Sequence, residues 1–124
     1  MSGNGRQIAL HPIGRVVHRG DEGPIVIELL PEFADALDGV EEQEHLWVLF
    51  WMHELAAEDR GLLRVHPRGD RSRPKRGVFA LRSPMRPNPI GMTRVRLLAR
   101  EGNRLIVEDL DARDGSPVID IKSG

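Results

Sequence analysis

Short apolar runs separated by turn-forming residues recur along the chain and predict β-strands. They cover residues 8–19 (interrupted by Pro12 and Gly14), 25–30, 45–53, 62–66, 78–81, 93–100, 105–108 and 118–121. Helix is predicted only over residues 32–37, after Pro31, and as a helical turn or loop over residues 56–61. The pattern therefore predicts an all-β fold, a small closed or partly open barrel with one or two short helices.

The most apolar of these runs, residues 45–53, divides into two faces by the alternation of a β-strand. One face contains His45, Trp47, Leu49, Trp51 and His53. The other contains Leu46, Val48, Phe50 and Met52. Because no residue from 46 to 52 is polar, we expect both faces to be covered, and the tryptophan face is a candidate interface between subunits.

The length of 124 residues predicts one domain, spanning residues 1–124, of which residues 1–7 are expected to be flexible. The sequence contains no cysteine, no apolar segment of ~20 residues that could cross a membrane, and no signal-peptide pattern. We therefore expect a cytoplasmic protein that does not bind membranes. The histidines are not spaced as metal ligands, so no metal is expected.

The net charge of −1 conceals an uneven distribution. Residues 60–100 contain 12 basic residues and one acidic residue, Asp70, whereas acidic residues outnumber basic ones on both sides of this block. The block can present a basic face to phosphates, or the acidic ends can fold over it and neutralise it. Its loop, residues 66–76, has no interleaved aromatic residues, so it suits either phosphate contacts or a solvated surface.

The segment of residues 77–96, GVFALRSPMRPNPIGMTRVR, is the most specific feature of the sequence. Pro84, Pro87 and Pro89 lie within six residues, between two strand-like segments. Prolines are normally excluded from the middle of a sheet, and they reduce the entropy that a loop loses on binding. The segment therefore predicts a rigid cationic loop for an anionic or planar ligand. The alternative is a rigid connector whose arginines pair with the acidic ends.

Four residues of this segment are candidates for ligand contacts. Arg82 and Arg86 can bind a carboxylate or phosphate, and the Asn88 amide can orient an amine or a base edge. Gly91 allows close approach of the backbone. A second candidate is the turn at residues 110–117, which is either a hairpin loop or a ligand contact made by its backbone and acidic side chains.

The string RSPMRPNPIG, preceded by GVFA and followed by DGSPVIDIK, resembles the signature of the TsaA-like (TrmO/YaeB) family of β-barrel methyltransferases. The resemblance runs from about residue 13 to residue 122 and includes EHLW at 44–47 and HPRGD at 66–70. It implies S-adenosylmethionine as methyl donor and a homodimer whose cofactor pocket lies near the subunit interface. Characterised members methylate the exocyclic amine of threonylcarbamoyl-adenosine beside the tRNA anticodon.

The resemblance also implies which residues contact the cofactor. They are His53, Glu54, Arg82, Arg86, Met92, Ala112, Arg113, Asp114 and Gly115. Asn88 lies in the same signature and is the candidate catalytic residue, since its amide can orient the acceptor amine. Methyl transfer from a sulfonium depends mostly on alignment, so no strong base is required.

The sequence departs from the family pattern at three places. The Pro-Arg-Gln segment that touches the cofactor after the first strand is replaced by the shorter residues 19–24. The family usually continues with Pro-Tyr and a tail after DIK, whereas this sequence stops at Lys122-Ser123-Gly124, and the C-terminal domain that longer members use in tRNA handling is missing. A tRNA adenosine methyltransferase is the first hypothesis. The alternatives are a methyltransferase for a small molecule and a non-catalytic module that binds S-adenosylmethionine or RNA.

Overall fold

A closed six-stranded barrel forms the body of the protein, whose computed structural model describes residues 6–124. Its strands are β1 (Gly14–His18), β2 (Ile25–Leu29), β3 (His45–Trp51), β6 (Ile90–Glu101), β7 (Arg104–Glu108) and β8 (Pro117–Ser123). They pair antiparallel in the order β1-β2-β7-β6-β3-β8, and β1 closes against β8. A separate sheet contains β4 (Arg64–Val65) and β5 (Arg76–Gly77). The predicted all-β barrel is confirmed, and it is closed.

The helical segments among residues 6–124 are short 3-10 turns. They cover Pro31–Leu37, Val40–Glu42, Ala57–Gly61, Pro67–Gly69 and Val78–Ala80. The first begins at Pro31, one residue before the predicted start, and ends at Leu37 as predicted. Proline suits a first helical position because the backbone N–H that it lacks would have no partner within the helix. In the part of the chain that the structure describes, no helix is long and apolar enough to cross a membrane.

The core lies inside the barrel and takes alternate residues from each strand. On β3, Leu46, Val48 and Phe50 are buried, while Trp47 and Leu49 face outward and are half-buried, which confirms the predicted alternation. The most deeply buried strand residues are Val16, Ile27, Leu46, Val48, Val95, Leu105, Val107 and Val118. This dry interior holds β3, β6 and β8 rigidly at the barrel end where β3 ends and β6 and β8 begin, which we call the rim.

Three predicted strands are wrong in extent or type. The strand predicted over residues 8–19 is reduced to β1, Gly14–His18. Residues 78–81 do not form a strand: Val78–Ala80 is a 3-10 turn in which Val78 is buried but Phe79 is 83% exposed. The Arg86 guanidinium donates hydrogen bonds to the carbonyl oxygens of Val78 and Leu81, so these groups need no neighbouring strand. The strand predicted over residues 62–66 is reduced to β4.

Two glycines allow close packing within the barrel. A Cβ atom at Gly91 would overlap the ring of Phe50, its partner across the β3–β6 pair. A Cβ atom at Gly14 would overlap the carbonyl oxygen of Glu28 on β2. Glycine is therefore required at both positions by close contact with a neighbouring strand. The Phe50 ring fills the barrel directly below the rim.

Candidate functional site

A cavity of about 410 Å³ opens at the rim, and we call it the rim cavity. Phe50, Met52 and Leu55 provide apolar walls. The polar and signature residues that line it are His53, Glu54, Pro84, Asp111, Arg113 and Ser116. A mostly apolar cavity of roughly 300–1,000 Å³ with a few polar groups is typical of small-molecule sites.

The rim cavity brings together predicted residues from two distant segments. Arg113 Nη1 donates to Glu54 Oε1 at 3.0 Å, and His53 Nε2 lies 3.8 Å from Glu54 Oε2. A Cβ atom at Gly115 would lie 3.8 Å from the same His53 nitrogen. The Arg113 and Glu54 side chains are 79% and 53% exposed, so the ion pair is weak and both groups can exchange partners for a ligand.

The turn before β8 is fixed to the end of β1. His18 donates its backbone N–H to Asp114 Oδ1 at 2.9 Å, and its Nε2 lies 2.8 Å from the carbonyl oxygen of Ala112. The buried Ser116 hydroxyl donates to the carbonyl oxygen of Arg113 at 2.6 Å. Ala112 and Asp114 therefore hold the turn in place, while Asp111, Arg113 and Ser116 of the same turn line the cavity.

The proline loop, residues 82–89, is held against β3 by its carbonyl groups. The backbone N–H of Met52 donates to the carbonyl oxygen of Pro89 at 2.8 Å. Arg60 Nε donates to the carbonyl oxygen of Pro87 at 2.9 Å, and its guanidinium carbon lies 5.2 Å from the centre of the Trp51 ring. Arginine over an indole face is a favourable cation–π arrangement. These contacts tie the proline loop to the end of β3 and to the Ala57–Gly61 turn.

The two arginines predicted to bind an anion have different surroundings. Arg86 is half-buried and donates to two backbone carbonyls, at Val78 and Leu81, so in this structure it holds the loop. Arg82 is exposed, and within residues 6–124 it has no ion-pair or hydrogen-bond partner among side chains and backbone groups. The cofactor role that the resemblance implies for both residues stays a prediction.

Asn88 and Met92 lie outside the wall of the rim cavity. The Asn88 side chain is exposed, and its backbone carbonyl accepts the N–H of Ile90 at 2.7 Å. Met92 is 46% exposed on the outer face of β6, opposite Leu49 on β3. The structure therefore gathers His53, Glu54, Arg113 and Gly115 around one site, and it leaves Met92 on a surface that faces away from the core.

A second cavity, of about 970 Å³, lies between the β4–β5 loop and the proline loop, and we call it the basic groove. Its cationic lining residues are Arg64, Arg68, Arg71, Arg73, Lys75 and Arg82. Pro84 lines both the basic groove and the rim cavity, so the two share a wall. Within residues 6–124, no group of three or more potential metal-ligating side chains occurs.

Some residues at the site were not singled out by the sequence. His18 fixes the turn and Arg60 holds the proline loop, and both act through contacts with residues far away in sequence. No periodicity or motif at these positions indicates such contacts. Pro84 was singled out as one of the three prolines of the signature string, but not as part of a cavity wall.

The sequence profile of the N-terminal domain of tRNA-methyltransferase O matches residues 12–123. This chain belongs to that family. A probable S-adenosyl-L-methionine-binding protein of Methanocaldococcus jannaschii is 43% identical over 114 residues, covering 91% of this chain and 89% of the relative. An S-adenosyl-L-methionine-binding protein of Archaeoglobus fulgidus is 52% identical over 96 residues, covering 77% of this chain and 66% of the relative.

Solved structures of the tRNA-methyltransferase O family have the same fold. A crystal structure of TrmO aligns with a TM-score of 0.75 and 34% identity, covering 96% of this chain and 58% of that one. The crystal structure of TrmO from Pseudomonas aeruginosa aligns with a TM-score of 0.73 and 33% identity, covering 96% of this chain and 55% of that one. The 124 residues thus span little more than half of these TrmO chains.

Proposed function

We propose that this protein is an S-adenosylmethionine-dependent methyltransferase that methylates the exocyclic amine of threonylcarbamoyl-adenosine beside the anticodon of tRNA. The observation that carries the proposal is the rim cavity, in which His53, Glu54 and Arg113 meet although 59 residues separate the last two. These are residues that the family signature assigns to the cofactor. Family membership and the names of the archaeal relatives support the same cofactor.

The donors and walls of the rim cavity fit this cofactor. Phe50, Met52 and Leu55 offer apolar surface for an adenine ring. The Glu54 carboxylate can accept hydrogen bonds from ribose hydroxyls or an amino group, and Arg113 can bind a carboxylate as a planar donor. When bound, S-adenosylmethionine supplies an electrophilic methyl group on its sulfonium.

The proline loop provides the acceptor side of the proposed site. Asn88 lies between Pro87 and Pro89, whose carbonyl oxygens are held by Arg60 and Met52. We propose that the Asn88 amide orients the acceptor amine. Because the loop is already fixed, orientation requires little further loss of entropy, and alignment is the main requirement for methyl transfer.

The cofactor assignment is tested by calorimetric titration with S-adenosylmethionine. We expect micromolar binding by the wild type and at least about tenfold weaker binding by Glu54→Gln, because a charged acceptor is lost. The matched control is Glu108→Gln, which removes the same charge from a carboxylate that pairs with Arg96 on the barrel strands. Absence of wild-type binding, or an equal loss in the control, would contradict the assignment.

The acceptor is tested by transfer of a labelled methyl group to unfractionated tRNA. Labelling is expected with tRNA that contains threonylcarbamoyl-adenosine and not with tRNA that lacks it. Asn88→Ala is expected to lower the rate of transfer while the affinity for the cofactor is unchanged. Turnover to S-adenosylhomocysteine without labelled tRNA would favour a small-molecule acceptor, and binding without turnover would favour a binding module.

We also propose that two copies associate through the outer face of β3 and β6. Trp47, Leu49 and Trp51 are half-buried on this face, and Met92 adjoins them on β6. A dimer through this face would place Met92 at the subunit boundary. In sedimentation equilibrium we expect Met92→Glu to weaken the dimer, whereas Leu98→Glu, at an exposed position farther along β6, should not. A monomeric wild type would refute this association.

A further inference from the structure

The basic groove concentrates positive charge that the rim cavity does not require. Six arginine and lysine residues line it, and no acidic residue is among the lining residues. Its floor is apolar, formed in part by Leu62, Val65, Leu81 and Met85. S-adenosylmethionine contains no phosphate, and six cations exceed what its single carboxylate needs. The lining of the groove therefore indicates a ligand with several anionic groups.

Several arginines on the barrel form ion pairs, whereas in the part of the chain that the structure describes those of the groove do not. Arg15 and Arg104 pair with Glu28, and Arg96 and Arg100 pair with glutamates on neighbouring segments. Among residues 6–124, by contrast, no ion pair is formed by the groove residues Arg64, Arg68, Arg71, Arg73, Lys75 and Arg82. The acidic ends of the sequence thus neutralise the strands and leave the groove positive.

Asp70 lies on the loop of residues 66–76, but it does not line the groove, and within residues 6–124 it forms no ion pair with a groove arginine. The Asp70 carboxylate accepts hydrogen bonds from the Ser72 N–H at 2.9 Å and the Ser72 hydroxyl at 2.6 Å. His66 Nδ1 lies 2.8 Å from the carbonyl oxygen of Arg73, which closes the loop at its base. These contacts order the loop backbone, while the Arg68, Arg71 and Arg73 side chains stay exposed.

We infer that the basic groove binds the sugar-phosphate backbone of the RNA substrate, an inference that rests on the proposed function. Arginine forks bind phosphates, and the apolar floor suits the ribose rings between them. The absence of aromatic residues from the lining means that the groove positions RNA without stacking its bases. Because Pro84 also lines the rim cavity, a strand in the groove lies beside the cofactor site.

The test uses a variant that removes three charges without straining the loop. Arg68 has a left-handed backbone (φ 53°), so Arg68→Gly suits its conformation, and Arg71→Gln and Arg73→Gln change exposed side chains. Affinity for unfractionated tRNA is measured at several KCl concentrations. We expect at least tenfold weaker binding by the triple variant and a log–log salt slope smaller by about 2, since each phosphate contact contributes roughly 0.7–0.9.

The matched control is Arg15→Gln with Arg96→Gln and Arg104→Gln, which removes three paired charges from the strands. An equal loss in this control, or wild-type affinity for poly-glutamate equal to that for tRNA, would overturn the inference. Titration with S-adenosylmethionine distinguishes a failure of the groove inference from a failure of the proposed function. If the triple variant keeps its affinity for the cofactor and for tRNA, the groove inference alone fails. If the wild type binds tRNA through the groove but no cofactor, the proposed function alone fails.

Discussion

Gly91 shows how a single residue sets the packing under the rim. Because a Cβ atom there would overlap the Phe50 ring, which is itself buried, Gly91→Ala should destabilise the protein by about 1–3 kcal/mol. Gly61→Ala is the control, since no atom approaches that position within 4 Å. Urea unfolding gives the free energy of unfolding of both variants. An unchanged midpoint for Gly91→Ala would show that the ring has room to move, whereas partial recovery by added Phe50→Leu would confirm the contact.

Asp70 predicts a pH dependence that is local to one loop. Hydrogen bonds from Ser72 hold the pKa of the Asp70 carboxyl below its usual value. Because the folded pKa is lower than the unfolded one, the carboxylate stabilises the loop above about pH 3.9, and this stabilisation is lost as the pH falls through the lowered pKa. The Ser72 amide shift in NMR should therefore titrate with a midpoint below about 3.9, and the transition should be absent in Asp70→Asn.

The proline loop is the element whose order depends most on one side chain. Arg86→Lys keeps the charge but cannot reproduce a planar fork to two carbonyls, so we expect a loss of roughly 1.5–3 kcal/mol in the free energy of unfolding. Arg82→Lys, at an exposed residue, should have no such effect. If Arg86→Lys leaves stability unchanged but abolishes cofactor binding, Arg86 is a ligand contact and not a support of the loop.

Sequence patterns predicted some elements well and could not predict others. The alternation of β3 follows from residues within the strand and was predicted correctly, but the sequence did not indicate that only the face with Leu46, Val48 and Phe50 is fully buried. The turn at Val78–Ala80 was not, because a four-residue apolar run looks the same whether Phe79 packs or faces solvent. The meeting of Glu54 with Arg113 is a long-range contact, so only the family signature, and no local pattern, indicated it.

At the scale of the whole molecule, the ion-paired arginines of the strands and the arginines of the basic groove predict different effects of salt on stability and on tRNA binding. The strand pairs, such as Arg15 with Glu28, are partly exposed, and exposed pairs contribute about 0–1 kcal/mol each. Raising KCl from 50 mM to 500 mM should therefore change the free energy of unfolding by less than about 1 kcal/mol per pair while it strongly weakens tRNA binding. A large loss of stability in salt would mean that the strand pairs matter more than their exposure implies.

The final distribution of charge is a second property that the sequence alone could not predict. Composition left open whether the acidic ends neutralise the basic block or leave it exposed, and both outcomes occur in different parts of the fold. Arg96 and Arg100 of the block lie on β6, where β7 and the Val40–Glu42 turn bring glutamates beside them. Arg68 and Arg71 lie on the loop of residues 66–76, and within residues 6–124 neither forms an ion pair. Contacts between segments distant in sequence therefore decide between these outcomes.

Because Pro84 lines both proposed sites, the affinities for the cofactor and for RNA are expected to be linked. Because one proline ring forms part of both walls, a ligand that shifts it in the rim cavity alters the groove, and the reverse holds equally. If RNA raises the affinity for the cofactor by some factor, the cofactor must raise the affinity for RNA by the same factor. Order of addition would then leave the final occupancy unchanged, and the ratio of the two affinities, measured with and without the other ligand, would express the coupling in a single number.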